Sequence, residues 1–327
     1  MLSIAVIGAG RIGRIHARNV AEHPGATLAG ITDPHAPSAE ALAAATGSKV
    51  ISLDEAFSIA DAVLIGSPTT THADYIERAA KAGKAVFCEK PIDLSAARVR
   101  ECLATVAAAG TTLMVGFNRR FDANFGHLKA RLDAGDIGSL ELLVITSRDP
   151  GPPPVSYIQT SGGLFRDMMI HDLDLARFIL GEEPVELYAA ASVLVDPAIG
   201  EAGDVDTAMV TLKTASGKLC QINNSRRATY GYDQRVEAHG SKGQLRAGNQ
   251  TATTVELANA GGFTSEPALP FFLERYAAAY KAELNTFIEA VAAGRAPTPS
   301  GDDGLKALVL ADAATESAKT GKAIRLV

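Results

Sequence analysis

Residues 3–13 read Ser3-Ile4-Ala5-Val6-Ile7-Gly8-Ala9-Gly10-Arg11-Ile12-Gly13. An apolar run ending in glycine is the pattern of a strand buried on both faces of a parallel sheet. The G-x-G-x-x-G that closes it is the spacing of a strand-to-helix turn that receives a pyrophosphate. Gly8 permits the tight turn, Gly10 lets backbone approach the anion and Gly13 lets helix pack closely on strand, while Arg11 and Ile12 open the helix whose first amides face the charge. Alone the hexapeptide is weak, because 30 glycines produce such spacings by chance and an ordinary strand-to-helix turn looks the same. Its context strengthens it. Asp33 ends the next apolar run, 20 residues after Gly13. A carboxylate there accepts hydrogen bonds from ribose hydroxyls and repels a 2′-phosphate, which points to NAD rather than NADP; a strand-end turn residue is the plainer reading.

Working outward, the alternation repeats: LAGIT from Leu28, a helical stretch from Ser38, AVLIG from Ala62, a helix from His72, AVFC from Ala85, a helix from Ser95 and TLMVG from Thr112. Repeated strand–helix units predict an α/β fold, a doubly wound parallel sheet of Rossmann type over residues 1–118. From Arg119 the texture changes, and residues 119–327 read as a second, α+β domain. A helix over 121–134 leads to ELLVITSR from Glu141, then to the loop DPGPPPVSY, where Pro152, Pro153 and Pro154 exclude helix and central strand. A helix from about Asp167 to Leu180 ends at Gly181. The runs VELYAAASVLV, DTAMVTLKT, GKLCQINNS, YDQRVEAHG and GQLRAG, parted by short turns, predict an antiparallel sheet. Helices over 271–293 and 302–320 and a strand at AIRLV close the chain, and these last helices are free to pack back on the first domain.

The 327 residues are 47% hydrophobic and 21% charged, which excludes disorder and fibrous repeats. Thirty-one basic against 37 acidic residues give a net charge of -6, a sign that repels nucleic acid and anionic lipid. No apolar run is long enough to span a membrane. Cys88, Cys102 and Cys220 fit neither a disulfide framework nor a zinc knuckle, so a reducing, cytoplasmic setting is expected.

Three segments carry candidate chemistry. Ser67-Pro68-Thr69-Thr70-Thr71-His72 follows a strand at the edge where ligands of open α/β sheets collect, so Ser67, Pro68, Thr69 and His72 are candidates for cofactor binding; Thr71 serves equally as a helix N-cap. AVFCEKP places Glu89 and Lys90 just past another strand, as further candidates for cofactor binding, with Pro91 fixing the direction of the chain. A lysine there can donate to a substrate oxygen as negative charge develops, although a lone E-K-P is commonly a solvated turn. In SGGLFRDMMIHDLDLARF, Asp167 and His171 are four apart and share a helix face, whereas Asp172 and Asp174 point elsewhere. A carboxylate beside an imidazole makes an acid–base unit able to take a hydroxyl proton; an exposed ion pair is the alternative, and a metal site lacks a second histidine or a cysteine.

These blocks, with GFNRRFD from Gly116 and NNSRRATYGYDQR from Asn223, resemble the glucose-fructose oxidoreductase and inositol dehydrogenase family over essentially the whole chain. The resemblance implies that Lys90, Asp167 and His171 are the catalytic set. It places Asn118 and Arg119 near nicotinamide and substrate, and Tyr230 and Tyr232 on a substrate-facing loop. It further implies that the antiparallel sheet is open-faced and joins subunits into a homotetramer. The implied reaction is NAD-dependent oxidation of a cyclitol, myo-inositol at carbon 2, with no protein-bound metal. The same triad would serve scyllo-inositol or an aldopyranose, and the scaffold also admits an NAD-dependent glycoside hydrolase or a non-catalytic NAD sensor.

Overall fold

The computed structural model describes residues 1–326. The N-terminal apolar run is β1 (Leu2–Ile7), which lies between β2 (Ala26–Thr32) and β3 (Ala62–Ile65) in a five-stranded parallel sheet completed by β4 (Ala85–Glu89) and β5 (Leu113–Gly116). The strand order, β2-β1-β3-β4-β5, reverses at β1 and β3, and the crevice outside the carboxyl ends of those two strands is where such sheets take ligands. Connecting helices are α1 (Arg11–Glu22), α2 (Ala36–Thr46), α3 (Leu53–Ile59), α4 (His72–Lys81) and α5 (Ala96–Ala109). The short α3, absent from the sequence reading, is fixed by a capping box: the Glu55 amide donates to Ser52 Oγ at 3.2 Å and the Ser52 amide donates to Glu55 Oε2 at 2.7 Å.

The rest of the chain runs α6 (Ala123–Asp133), β6 (Leu140–Arg148), α7 (Val155–Ser161), a π-helical turn at Phe165–Met169, α8 (Ile170–Leu180), β7 (Pro184–Ser192), α9 (Pro197–Glu201), β8 (Thr207–Thr214), β9 (Leu219–Ser225), β10 (Asp233–Gly240) and β11 (Gly243–Ala247). A separate hairpin of β12 (Glu256–Asn259) and β13 (Gly262–Ser265) follows, then α10 (Phe272–Arg275), α11 (Ala277–Ala292), α12 (Gly301–Thr320) and β14 (Ile324–Arg325). The large sheet has the order β11-β10-β6-β9-β8-β7-β14, with β14 supplied by the C-terminal tail.

Three expectations need correction. The sheet is mixed, because β6 and β9 are parallel neighbours. The helical crossover after β6 brings the chain back to start β7 in the same sense, and two hairpins later β9 has that sense again. The proline stretch is not loop throughout: Pro154 caps α7, so Val155, Ser156 and Tyr157 are helical, as proline permits just before a first turn. The helix expected over 271–293 is interrupted at Tyr276.

The chain divides into two units, Met1–Phe121 with Ala279–Leu308, and Asp122–Ala278 with Val309 onward. In the first, the strand residues Ile4, Val6, Ile31, Leu64, Phe87 and Met114 share one core with Leu284, Phe287 and Ile288 of α11. In the second, α8 packs on β6 and β9, burying Leu173 and Ile179 as well as Ile145 and Ile222.

Candidate active site

In the first unit the glycine turn is dictated by backbone crowding. Gly8 has φ +106°, and a Cβ there would stand 2.6 Å from the Gly66 carbonyl oxygen; a Cβ on Gly13 would stand 1.9 Å from that of Gly8. Gly10 differs. It caps the N-terminus of α1 and a Cβ there would meet nothing within 4 Å, so the space over the first helical amides is open to an anion. Arg11 is exposed beside it and Ile12 half-buried. Asp33 braces the turn: Oδ2 accepts from the Ala9 amide at 2.6 Å and Oδ1 from the His35 amide at 2.8 Å.

The loop after β3 is built by side chains. The Thr71 hydroxyl donates to the Pro68 carbonyl and pairs with Ser67 Oγ, each at 2.7 Å, and makes no cap to α4. Pro68 is exposed and Thr69 half-exposed. His72 turns inward: Nδ1 lies 2.8 Å from the Pro91 carbonyl oxygen and Nε2 2.8 Å from that of Ser67. Burial holds this imidazole below its usual titration range, although both carbonyls and Glu89 work the other way. His72 therefore ties the cofactor-side loop to the peptide that follows Lys90. Glu89 is also inward, its Oε1 2.7 Å from His16 Nε2. Lys90 is half-buried at the end of β4, and the Lys90–Pro91 peptide is cis. Asn118 and Arg119 lie buried in a 3₁₀ turn after β5.

In the second unit Asp167 sits in the π turn that precedes α8, and His171 is half-buried at the start of that helix. The expected regular α-helical spacing is thus replaced by a wider turn, a geometry concentrated at functional sites. Asp167 is held from two sides. Tyr157 donates its hydroxyl to Oδ1 at 2.9 Å, and Arg226 Nη2 lies 3.9 Å from Oδ2. Arg226 is only 1% exposed and also faces Asp204, at 3.5 Å; Asp204 accepts the Leu164 amide just before the turn. Asp172 and Asp174 point inward, Asp172 to the Asn224 side chain at 3.0 Å and Asp174 to Arg177 at 3.4 Å.

The two tyrosines part ways. Tyr230 is exposed; its hydroxyl donates to Asp233 at 2.6 Å and accepts from Arg148 at 2.9 Å. Burial and then that bond to Asp233 push the phenol above its usual value. Tyr232 is buried edge-on against Phe271 and Tyr276. Residue-by-residue reading passed over Tyr157, Asp204 and Arg226. Arg226, one of two adjacent arginines, and Tyr157, at the end of the proline-rich stretch, stood inside quoted blocks, whereas Asp204 carried no signal.

Comparison with known proteins covers both units. Residues 2–117 match the family model described as oxidoreductase family, NAD-binding Rossmann fold, and residues 125–246 match the GFO/IDH/MocA C-terminal domain. The chain is 55% identical to an inositol 2-dehydrogenase from Rhizobium meliloti (strain 1021), with 95% of each chain covered. It is 47% identical to a myo-inositol 2-dehydrogenase from Thermotoga maritima, over 99% of this chain and 98% of that one. A crystal structure of a myo-inositol dehydrogenase from Corynebacterium glutamicum ATCC 13032 superposes with a TM-score of 0.96 at 48% identity, covering 100% of this chain and 99% of the other.

Proposed function

The chain belongs to the GFO/IDH/MocA oxidoreductase family, and from that premise we propose how its residues act. The protein is an NAD-dependent inositol 2-dehydrogenase that oxidises myo-inositol to 2-keto-myo-inositol. The observation that carries this reading is the likeness to the Rhizobium enzyme over 95% of both chains. The turn suits the coenzyme: Gly8 and Gly13 admit no side chain, and Gly10 leaves open the helix end that receives the pyrophosphate. When bound, NAD supplies the oxidant for a secondary alcohol.

The remaining work falls to side chains. Lys90 donates from Nζ to the reacting hydroxyl oxygen and stabilises the charge that develops there. His171 takes the hydroxyl proton, and Asp167, itself steadied by Tyr157 and Arg226, favours the protonated imidazole. Asp33 selects the unphosphorylated ribose, while Ser67, Pro68 and Thr69 border the same ligand and Asn118, Arg119 and Tyr230 serve the nicotinamide and substrate side; Tyr232, packed on Phe271 and Tyr276, supports that loop from behind.

We also propose a cytoplasmic homotetramer. Leu142, Leu219, Met209 and Tyr188 are exposed on one face of the large sheet, brought together by the register of β6, β9, β8 and β7. An apolar row of that kind marks an interface. No helix among the described residues is long and apolar enough to cross a membrane.

The test is absorbance of the reduced coenzyme with myo-inositol, scyllo-inositol and glucose, each with NAD and with NADP. The expected result is the highest kcat/KM for myo-inositol with NAD. A preference for glucose would overturn the substrate, a preference for NADP the role of Asp33, and sugar release without net reduction of coenzyme would make the protein a glycoside hydrolase.

A further inference from the structure

Next to Lys90 in the chain, the first unit buries a group of three ionisable residues to which the proposed reaction gives no role. His16 comes from α1, Glu89 from the end of β4 and Glu283 from α11, and one donor atom of each lies within 4.8 Å of the others. His16 and Glu89 pair at 2.7 Å. Glu283 is 0% exposed, and neither of its carboxyl oxygens has a hydrogen-bond partner. The walls are largely aromatic: the His16 ring lies 5.1 Å from Phe87 and 5.6 Å from Tyr280, and Phe287 stands behind Phe87. On the far side is Gly116, where a Cβ would come within 3.2 Å of both Glu89 carboxylate oxygens.

An ionised carboxylate in such a place is heavily penalised, and two carboxylates sharing one dry pocket do not both ionise. Glu89 has the imidazole as its partner, so the proton belongs on Glu283. Burial, and then the charge of Glu89, push the Glu283 carboxyl well above the usual carboxylate range. The groups that face it are His16 from α1 and Glu89 from β4, with Tyr280 one turn away on its own helix. One nitrogen and two carboxylates are also a set that could ligate a metal ion, so metal content is one of the readouts below.

We propose that Glu283 is a neutral acid which, with His16, keeps the Glu89 side chain folded inward and so fixes the backbone from which Lys90 departs. Glu283 and His16 are positioning residues in this scheme, which rests on the assignment of Lys90 as a catalytic residue. A glutamine at 283 reproduces the shape and neutrality of the protonated acid, whereas alanine leaves a cavity beside the Glu89–His16 pair and lets that pair shift.

The experiment compares full-length wild type, Glu283→Gln and Glu283→Ala by thermal melting and by steady-state kinetics with myo-inositol and NAD, from neutral to alkaline pH. A carboxyl whose folded pKa is raised stabilises the fold while protonated, and that stability is lost as pH rises from about 4.5 through the folded value. Wild type should therefore lose melting temperature with rising pH relative to Glu283→Gln, the gap widening toward alkaline pH. Glu283→Gln should keep kcat within about threefold, while Glu283→Ala melts lower at every pH and loses kcat about tenfold or more with KM for NAD little changed. Equal damage in both variants, or a melting gap that does not move with pH, would overturn the neutral acid. So would one equivalent of metal in purified wild type that disappears in Glu283→Gln. Lys90→Ala, run alongside, separates the two readings: wild-type turnover there removes Lys90 and its positioning, yet leaves the melting comparison to decide the state of Glu283.

Discussion

The Gly8–Gly13 turn and the π turn at Phe165–Met169 each present chemistry from an irregular piece of backbone, but they are held in opposite ways. The first is enforced mainly by backbone crowding: Gly13 packs on Gly8, five residues away, and Gly8 on Gly66 at the end of the neighbouring strand, so the conformation follows from what has no side chain. The second is enforced from outside, by Tyr157, by Arg226 with Asp204, and by Arg166 on Asp312, 2.7 Å away. Backbone crowding tolerates no side chain at one or two positions and asks little of side chains elsewhere. A long-range polar clamp spreads its demands over residues far apart in sequence, each of which is individually ordinary.

Substitutions can break or sharpen that contrast. The largest effect is expected from Gly13→Ala, where a Cβ 1.9 Å from a backbone oxygen forces helix and strand apart; it should cost about 4 kcal/mol or more, read as a large fall in melting temperature with loss of NAD binding. A Gly13→Ala protein that melts and binds as wild type would show that crowding is not what sets the turn. His171→Ala should lower turnover about 10²- to 10⁴-fold while NAD binding and melting stay near wild type, and undiminished turnover would remove the histidine from the reaction. Arg226→Met strips the clamp and leaves Asp204 and Asp167 without their shared cation. A loss of about 3 kcal/mol in urea unfolding is expected, together with lower kcat, and unaltered kcat would mean that Tyr157 alone suffices for Asp167. Ser95→Ala, which removes a local cap from the Arg98 amide, should cost about 1 kcal/mol and leave kinetics untouched.

The same contrast decides what could be read in the sequence. The parallel sheet was legible because its strands are short continuous apolar runs, and the dinucleotide turn because three glycines and Asp33 state their requirements locally. Lys90, Asp167 and His171 were legible as residue types in recognisable blocks. The π turn was not, since nothing in FRDMM distinguishes it from regular helix, and its causes lie 10 to 146 residues away. The direction of Tyr232 was not legible either: the resemblance sets it on a substrate-facing loop, and in the fold its ring packs on Phe271 and Tyr276. Glu283 was invisible for a related reason. It reads as one more charge on an amphipathic helix, and only the return of that helix to the first core reveals where it goes.

That return of α11 also bears on synthesis. Leu284, Phe287 and Ile288 form part of the core around β1, so a nascent chain that has emerged through residue 121 possesses every strand of the nucleotide-binding sheet but lacks one side of its apolar packing. At translation speeds of roughly 5–20 residues per second, about ten seconds or more separate completion of the sheet from arrival of the helix that seals it. During that interval the half-built unit must hold exposed aliphatic surface out of aggregation on the ribosome, and a fragment cut at the apparent boundary would inherit the same defect permanently.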